Sequence, residues 1–408
     1  MNAISLFSGC GGLDYGIEAA GWNIIYRNDF DRHSCGTLSL NGKANIHCAP
    51  IEEVSSIDIC DYAGSTKTVD LVIGGPPCQP FSKSAYWSRG DTLRLKDPRS
   101  NTLSEYFRVI LDFRPKAFLL ENVHGISYSG KEEGFQFIIR KIAEINRKTG
   151  TDYRPSWKIL NAVHFGVPQQ RLRFFLAALR DGKKFIFPQP THSRENDVKA
   201  GDSPLKNGIA PYVTSWDALA NIMPDQSEKL AVTGKWGKLL PSIPEGENYL
   251  WHTDRKDGLP LFGWGTRYWP FLLKLAKNRP SWTIQAQPGP AIGPFHWKNR
   301  RLSWRELAAL QTFPADFRIK SSRVEIQRQI GNAVPSLLAE ILGRSLMEQA
   351  FGRQYKEPPL LAVKPNGAVP PPEPIQPVPE EYFRLLGCRA PSPDADSGKT
   401  KPQQTLTD

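Results

Sequence analysis

A single cysteine lies in a proline-rich loop in the first quarter of the chain. The loop at 74–82 (GGPPCQPFS) follows the apolar run 69–73 (VDLVI), which is typical of a buried strand. In an open α/β sheet, ligands bind beyond the carboxyl ends of the strands, and the flanking prolines restrict the backbone around Cys78. Such a loop can present a thiol for nucleophilic catalysis. By itself the pattern is equally compatible with a structural cysteine, because free cysteines are often buried.

A second chemical signal is the glycine-rich turn near the start of the chain. Residues 4–12 (ISLFSGCGG) lead into a helical pattern, which predicts a strand, a tight turn and a helix. Asp29 ends the next apolar run, at the distance from Gly9 where an acid binds ribose hydroxyls in nucleotide sites. The spacing is not Gly-x-Gly-x-x-Gly, so a pyrophosphate need not be bound, and S-adenosylmethionine is the predicted ligand. Phe7 or Phe30 could stack on adenine, although either could also be a core residue.

Composition places the chain among basic, folded proteins. Its 408 residues are enough for two domains, and the formal net charge of +11 favours a polyanionic partner such as nucleic acid. The six cysteines form no C-x-x-C pair and no cluster with zinc spacing, which predicts no metal site and free thiols. A strand pattern begins within a few residues of Met1, and no apolar run could span a membrane. We therefore expect no signal peptide and a location in a reducing cytoplasm.

Alternating apolar runs and helical patterns predict a doubly wound α/β fold. The candidate strands are 4–7, 23–27, 69–73, 116–120 and 173–179, and the candidate helices include 13–20, 135–147, 303–311 and 336–349. From about residue 188 to residue 297 the chain is rich in Gly, Pro and Trp, which indicates a second, smaller, irregular and β-rich domain. The predicted division is a first catalytic part at 1–187, the second domain at 188–297, a returning catalytic part at 298–350, and a Pro-rich, disordered tail at 351–408.

Six segments, taken in order, resemble the motifs of the DNA cytosine-5 methyltransferase family. They are 7–12 (FSGCGG), 75–82 (GPPCQPFS), 121–123 (ENV), 169–173 (QQRLR), 301–306 (RLSWRE) with 310–314 (LQTFP), and 329–335 (QIGNAVP). Their order and approximate spacing also match, and the resemblance covers residues 3–185 and 298–348. It implies a Rossmann-like, S-adenosylmethionine-dependent methyltransferase domain. The segment 188–297 lies where that family has its target recognition domain.

The resemblance implies covalent catalysis on a cytosine that is flipped out of double-stranded DNA. The Cys78 thiolate would add to carbon 6 and make carbon 5 nucleophilic, and Glu121 would neutralise charge at ring nitrogen 3. Arg173 would hold the carbonyl oxygen of the base, and Arg171 would brace the loop or a phosphate. The alternative for the two arginines is a solvated surface position. The segment 188–297 would read the flanking sequence in the major groove.

The motifs, the end of the second predicted strand and the segments outside the motifs together give the predicted binding residues. Those for the cofactor would be Phe7, Ser8, Gly9, Gly11, Gly12, Asp29, Phe30, Ile51, Pro77, Asn332 and Ala333. Those for DNA would be Gln79, Ser82, Arg267, Arg300 and Arg301. Two positions depart from the family's pattern. Its first motif often has an acid where Ser5 stands, and Pro50 stands where its third motif typically has an acid that contacts the adenine amino group.

Three other functions fit parts of the sequence. A cytosine-N4 or adenine-N6 methyltransferase would have a Pro-Pro-aromatic loop without a thiol, so Cys78 argues against it. A tRNA-directed member of the same family would be more compact, without the long Trp-rich insert. A non-enzymatic regulator derived from such an enzyme would be expected to have lost its catalytic groups, and they are intact here.

The compact plan resembles the modification enzyme of a prokaryotic type II restriction–modification system. This implies a monomer that acts on double-stranded DNA without a metal and releases S-adenosyl-L-homocysteine. It also implies a functional pairing with a restriction endonuclease without a stable complex.

Overall fold

The computed structural model describes residues 1–64, 68–77, 101–123, 132–194, 209–262 and 268–386. Within these ranges the chain divides into two compact units. The first unit comprises residues 1–228, 278–287 and 303–369, and the second comprises 229–277, 288–302 and the chain from 370 onward. These limits differ from the division predicted from composition, because residues 188–228 and 278–287 group with the first unit.

The first unit is built on one mixed sheet of seven described strands. They are β1 (Asn2–Leu6), β2 (Asn23–Asp29), β3 (Ile46–Cys48), β4 (Leu71–Gly74), β5 (Ala117–Val123), β6 (Ser156–Asn161) and β7 (Leu172–Leu179). Their order is β3-β2-β1-β4-β5-β7-β6; β1 to β5 are parallel, and β7 is antiparallel to both neighbours. Each of the five predicted strands overlaps one of these, whereas the edge strands β3 and β6 were not predicted.

Helices cover both faces of this sheet. The helices of the described chain are α1 (Gly12–Ala19), α2 (Arg32–Leu40), α3 (Ser56–Ala63), α4 (Asn101–Phe113), α5 (Glu132–Thr149), α6 (Ser215–Leu219), α7 (Trp304–Leu310), α8 (Arg323–Asn332) and α9 (Ser336–Phe351). The strand residues Ile4, Val72 and Phe118 pack in one core with α4 and α5, whereas Ala3 and Leu71 pack in another with α1 and α9. Neighbouring strand residues point to opposite faces of a sheet, so these two cores lie on opposite faces. Helices on both faces of a mainly parallel sheet confirm the predicted doubly wound α/β fold.

The rest of the described chain has little regular structure. Beyond the two-residue strands β8 (His192–Ser193) and β9 (Ala210–Pro211), the described part of 188–297 has isolated bridges, the short helix α6 and 3-10 turns at Gly237–Ser242 and Tyr249–His252. The segment is irregular as predicted, but its β content is low, since prolines remove ladder donors and glycines weaken strands. No described helix has both the length and the apolar character needed to cross a bilayer.

Residues 370–386 of the Pro-rich tail are an ordered part of the second unit, so the prediction of disorder is wrong there. Tyr382 is 3% exposed, lies in the same apolar core as Phe271, and stacks on Trp236 with ring centroids 6.1 Å apart. The Lys277 ammonium lies 3.0 Å from the Glu373 carboxylate. Disorder was predicted from composition alone. Composition does not show that the Tyr382 ring and the Glu373 carboxylate contact distant parts of the chain.

Candidate active site

The turn after β1 is built on left-handed backbone. Phe7, Gly9 and Gly11 have φ angles of 56°, 55° and 89°. Glycine adopts this conformation readily, whereas it is uncommon for a phenylalanine and often marks a functional site. Gly11 is the N-cap of α1, and the Ser8 N–H donates to the Asn28 carbonyl oxygen at 3.0 Å. The predicted turn therefore lies at the carboxyl end of β1, directly beside the end of β2.

Asp29 ends β2 and faces this turn. Its carboxylate accepts hydrogen bonds from the N–H groups of Gly9 and Asp31, at 2.8 and 2.9 Å. Burial raises the pKa of Asp29, and the two N–H donors oppose that rise. The next residue, Phe30, is 66% exposed although it is large and apolar. The end of β2 therefore has a carboxylate held by two hydrogen bonds, at Asp29, followed in the chain by an exposed aromatic ring, at Phe30.

The C-terminal motif packs against the start of α1. A Cβ at Gly12 would lie 2.5 Å from the Val334 carbonyl oxygen and 2.8 Å from the Ala333 Cβ, so glycine is needed for this approach. The Ser336 hydroxyl donates to the Gly12 carbonyl oxygen at 2.9 Å. Asn332 is exposed, and Ala333 is partly so. The structure therefore brings together predicted cofactor residues from the two ends of the fold.

Ile51 and Pro77 lie in different settings. Ile51 is 3% exposed and belongs to the apolar core against which Phe7 also packs. Pro77 is partly exposed, and its carbonyl oxygen accepts a hydrogen bond from the Thr102 hydroxyl at 3.4 Å. Because Ile51 is enclosed by the core, it has little side-chain surface for a ligand.

An ion pair lies at the carboxyl end of β5. The Glu121 Oε1 is 3.0 Å from the Arg173 Nε, and both side chains are largely buried, at 12% and 14% exposed. A Cβ at Gly75 would lie 2.8 Å from the Glu121 Oε2, and Asn122 donates to the Pro76 carbonyl oxygen at 3.1 Å. Burial raises the pKa of Glu121, and the positive charge of Arg173 opposes it. The carboxylate therefore touches the segment that leads to Cys78.

Arg171 is not part of the ion pair between Glu121 and Arg173. It is 0% exposed, and its guanidinium donates to the carbonyl oxygens of Ile284 and Gly331, at 3.1 and 2.5 Å. The alternative of a solvated surface position is therefore wrong for Arg171, whereas its expected contact with the loop or with a phosphate stays a prediction.

The residues at the cofactor end suit an adenosine group. The Asp29 carboxylate can accept hydrogen bonds from two ribose hydroxyls, the Phe30 ring offers a face for stacking, and the glycine turn allows close approach of a ligand. No group of three or more His, Cys, Asp or Glu side chains that could hold a metal is found in the part of the chain that the structure describes.

Comparison with known proteins agrees with this site. The model of the C-5 cytosine-specific DNA methylase family matches residues 1–348. The chain belongs to this family.

Relatives of this cytosine-5 methylase support the assignment. Type II methyltransferase M.SacI of Streptomyces achromogenes is 39% identical over 376 residues, which cover 86% of this chain and 93% of that protein. Type II methyltransferase M.NgoFVII of Neisseria gonorrhoeae is 33% identical over 359 residues, covering 87% and 88%.

Solved structures share the fold of this methylase. A putative DNA modification methyltransferase encoded within an E. coli prophage has a TM-score of 0.57 and 23% identity, covering 85% of this chain and 99% of that one. Spodoptera frugiperda DNMT2 has a TM-score of 0.56 and 19% identity, covering 85% and 99%. These likenesses support the predicted Rossmann-like methyltransferase fold.

The remaining site predictions for this methylase concern thiol and DNA contacts. Cys78, Gln79, Ser82 and Arg267 lie outside the described residues. Arg300 and Arg301 belong to the second unit and are partly exposed. The Arg300 guanidinium donates to the Arg301 carbonyl oxygen, and the Arg301 guanidinium donates to that of Pro290. No structural observation decides whether they contact DNA, so these assignments stay predictions.

Sequence reasoning missed four buried polar side chains within or beside the methylase motifs. Gln169 donates to the Leu310 carbonyl oxygen, and Gln311 donates to that of Ile330, which ties the arginine-rich motif to the last one. Asn122 fixes the loop before Cys78, and Asp14 is fully buried in α1. The signal was available, because a polar residue at an apolar position of a periodic pattern needs a partner.

Proposed function

We propose that this methylase transfers a methyl group from S-adenosylmethionine to carbon 5 of a cytosine flipped out of a short, specific double-stranded DNA sequence. The reaction proceeds through a covalent bond between the base and Cys78. The observation that carries this proposal is the Glu121 carboxylate, which lies against Gly75, three residues before Cys78, and is paired with Arg173. Membership of the cytosine-5 methylase family supports the same reaction.

Carbon 5 of cytosine is a weak nucleophile, and the protein must activate it. The Cys78 thiolate forms a bond to carbon 6, and the electron pair of the 5,6 double bond becomes available at carbon 5. When bound, S-adenosylmethionine supplies an electrophilic methyl group. After carbon 5 has gained the methyl group, it loses its proton to a base, the carbon 6–sulfur bond breaks, and the thiolate leaves.

Glu121 and Arg173 act on the polar edge of the base. Attack at carbon 6 places negative charge at ring nitrogen 3, which a proton from Glu121 neutralises. Burial raises the pKa of Glu121 and so favours the protonated form, while Arg173 favours the ionised form. This balance lets the carboxyl group give and recover a proton. Arg173 also has donors that can hold the carbonyl oxygen of the base.

The cofactor is held at the carboxyl ends of β1 and β2. When the cofactor is bound, Asp29 would accept hydrogen bonds from the ribose hydroxyls, Phe30 would stack on the adenine, and the turn from Phe7 to Gly12 would hold the methionine part. Pro77, Asn332 and Ala333 complete the site. Ile51 contributes through the core behind Phe7 rather than through an open surface.

Residues 188–297 form the target recognition domain, in which Arg267 belongs to a loop that reads the DNA. Arg300 and Arg301 contact phosphates, and Gln79 and Ser82 also contact the DNA. The irregular loops around the aromatic core of the second unit suit this role, since loops carry specificity when a packed core holds them. M.SacI and M.NgoFVII are named Type II methyltransferases. By that similarity, the enzyme acts in the cytoplasm as a monomer and protects host DNA from a partner endonuclease.

The test uses purified enzyme with deuteromethyl-labelled S-adenosylmethionine and either unmethylated bacterial DNA or tRNA. Mass spectrometry of the nucleosides should show labelled 5-methylcytosine in DNA, and none with Cys78→Ser. Cys60→Ser is the matched control, since Cys60 lies in α3, and it should keep activity. Label in N4-methylcytosine, in N6-methyladenine or only in tRNA would contradict the proposal.

A further inference from the structure

A buried carboxylate that the mechanism does not use lies beneath the cofactor turn. Asp14 is in the first turn of α1 and is 0% exposed. Its Oδ1 accepts a hydrogen bond from the Ser5 hydroxyl at 2.6 Å, and its Oδ2 lies 3.1 Å from the Arg27 Nε. Ser5 and Arg27 are themselves almost completely buried, at 1% and 3% exposed. A carboxylate this deep is expensive to bury unless it is paired, and both of its oxygens are used.

The contact with Asp14 fixes the direction of the next hydrogen bond. The Ser5 and Ser8 hydroxyl oxygens are 2.9 Å apart. A serine has one hydroxyl proton, and Ser5 directs its proton to Asp14. Ser5 can therefore only accept from Ser8. The Ser8 hydroxyl has the Ser5 hydroxyl oxygen at 2.9 Å and the Ser5 carbonyl oxygen at 3.4 Å as acceptors, so its proton points back toward β1. One carboxylate on α1 thus orients two hydroxyls in succession.

Both ends of this chain of contacts lie beside the ribose site. Ser8 precedes Gly9, whose N–H donates to the Asp29 carboxylate at 2.8 Å. At the other end, Arg27 lies on β2 two residues before Asp29. Asp14 therefore joins the helix, the glycine turn and the strand that carries the acid.

We infer that Asp14 is a positioning residue for the cofactor turn, acting through Ser5 and Ser8, and that its carboxylate can be exchanged with the hydroxyl of Ser5. Asp14 and Ser5 are partners across a single hydrogen bond, so moving the carboxylate from the helix to β1 keeps one acid and one hydroxyl in the same place. The absence of an acid at position 5, noted in the sequence, is then balanced by the acid at position 14. This inference rests on the proposed use of S-adenosylmethionine.

The test is calorimetric binding of S-adenosylmethionine and S-adenosyl-L-homocysteine to the full chain, with thermal unfolding measured in parallel. Asp14→Ser and Ser5→Asp should each weaken binding at least tenfold, because one removes the acid and the other places two acids together. The double variant should bind within threefold of the wild type. In turnover, the single variants should raise KM for S-adenosylmethionine more than they lower kcat at saturating cofactor.

Glu18→Gln is the matched control, because Glu18 also pairs with Arg27 from α1 but does not touch Ser5. It should lower the unfolding temperature and leave the cofactor Kd unchanged. If Asp14→Ser does not fold, Asp14→Asn keeps an acceptor for Ser5 and removes the charge, and it should weaken binding at least threefold.

Unchanged binding in the folded Asp14 variants, or a double variant no better than the singles, would overturn the inference while leaving the proposed function intact. A wild-type chain that binds no S-adenosylmethionine would overturn both. The two failures are therefore distinguishable in one experiment.

Discussion

The two units of this enzyme bury charged groups in different ways. In the first unit, Asp14 on α1 pairs with Arg27 on β2, and Glu121 pairs with Arg173 across the neighbouring strands β5 and β7. In the second unit, Lys277 is held between Glu245 and Glu373, which come from irregular segments far apart in the chain. A sheet edge gathers side chains by its regular geometry, whereas loops need each polar contact to be specified by a separate long-range pair.

This difference predicts where substitutions act. Charged residues of the first unit that face the sheet edge should affect catalysis or cofactor binding. Those of the second unit should affect its stability, because they hold irregular segments and the tail together. The predictions that follow test this division, beginning with the largest expected effect.

Glu121→Gln should lower turnover about 10²- to 10³-fold. An amide, unlike a carboxyl group, cannot release a proton to the base and take it up again. DNA affinity, measured by filter binding, should change less than threefold. Glu144→Gln is the control, since Glu144 pairs only with lysines on α5 and should leave turnover unchanged. Equal losses of turnover and of DNA affinity in Glu121→Gln would show that the residue acts on binding.

Tyr382→Ala should destabilise the second unit by about 3 kcal/mol, since it removes a buried ring from the aromatic core. Tyr382→Phe should cost about 1 kcal/mol, because only the hydroxyl contact with the Lys235 carbonyl oxygen is lost. The neighbouring Phe383 is 44% exposed, so Phe383→Ala should cost less than about 0.5 kcal/mol. Urea unfolding followed by tryptophan fluorescence measures all three. Equal effects of Tyr382→Ala and Phe383→Ala would mean that the tail is not an integral part of the unit.

Arg171→Lys and Arg173→Lys should separate stability from catalysis. Lysine cannot supply the two directed donors with which Arg171 reaches Ile284 and Gly331, so this variant should lose about 2 kcal/mol of unfolding free energy. Arg173→Lys keeps a positive charge beside Glu121, and it should lose turnover while remaining stable within about 1 kcal/mol. Denaturant titrations measure the stability of both variants, and initial rates measure their turnover. A stable but slow Arg171→Lys, together with an unstable Arg173→Lys, would reverse the roles assigned to the two arginines.

Lys274 should make the second unit less stable near neutral pH than at alkaline pH. Burial lowers the pKa of Lys274 to about 8, against the attraction of Glu245 and Glu373. Between that value and the unfolded pKa, the unfolded chain binds more protons, so stability rises with pH. Between pH 7 and pH 10, the free energy of unfolding of the wild type should rise by about 2 kcal/mol relative to that of Lys274→Met, as measured by denaturant titration at each pH.

Lys277 provides the contrasting case for the pH series. Burial opposes its charge, but the hydrogen bonds to Glu245 and Glu373 prevail and raise its pKa. The stability that Lys277 contributes should therefore be present below the unfolded pKa and fall as pH rises through the folded pKa. Parallel slopes for Lys274→Met and Lys277→Met, relative to wild type, would contradict the assigned environments.

The site residues could be predicted where their surroundings come from nearby sequence, and not where they depend on distant segments. Asp29, Glu121 and Arg173 could be placed from sequence, because each stands at or beside a strand end whose apolar run is local. Arg171 could not, since its burial depends on carbonyl groups more than a hundred residues away. The prediction for the tail was wrong for a related reason. Its composition is typical of a disordered segment, and Tyr382 and Glu373 hold it in place only through contacts with distant residues.

The most direct test of the central claim is bisulfite sequencing of the DNA of a methylation-free bacterial host that expresses this chain. The account predicts protected cytosines within one short recurring double-stranded sequence, and none in hosts that express Cys78→Ser at the same level. Unprotected DNA from a host that contains folded enzyme able to bind S-adenosylmethionine would contradict DNA cytosine-5 methylation through Cys78.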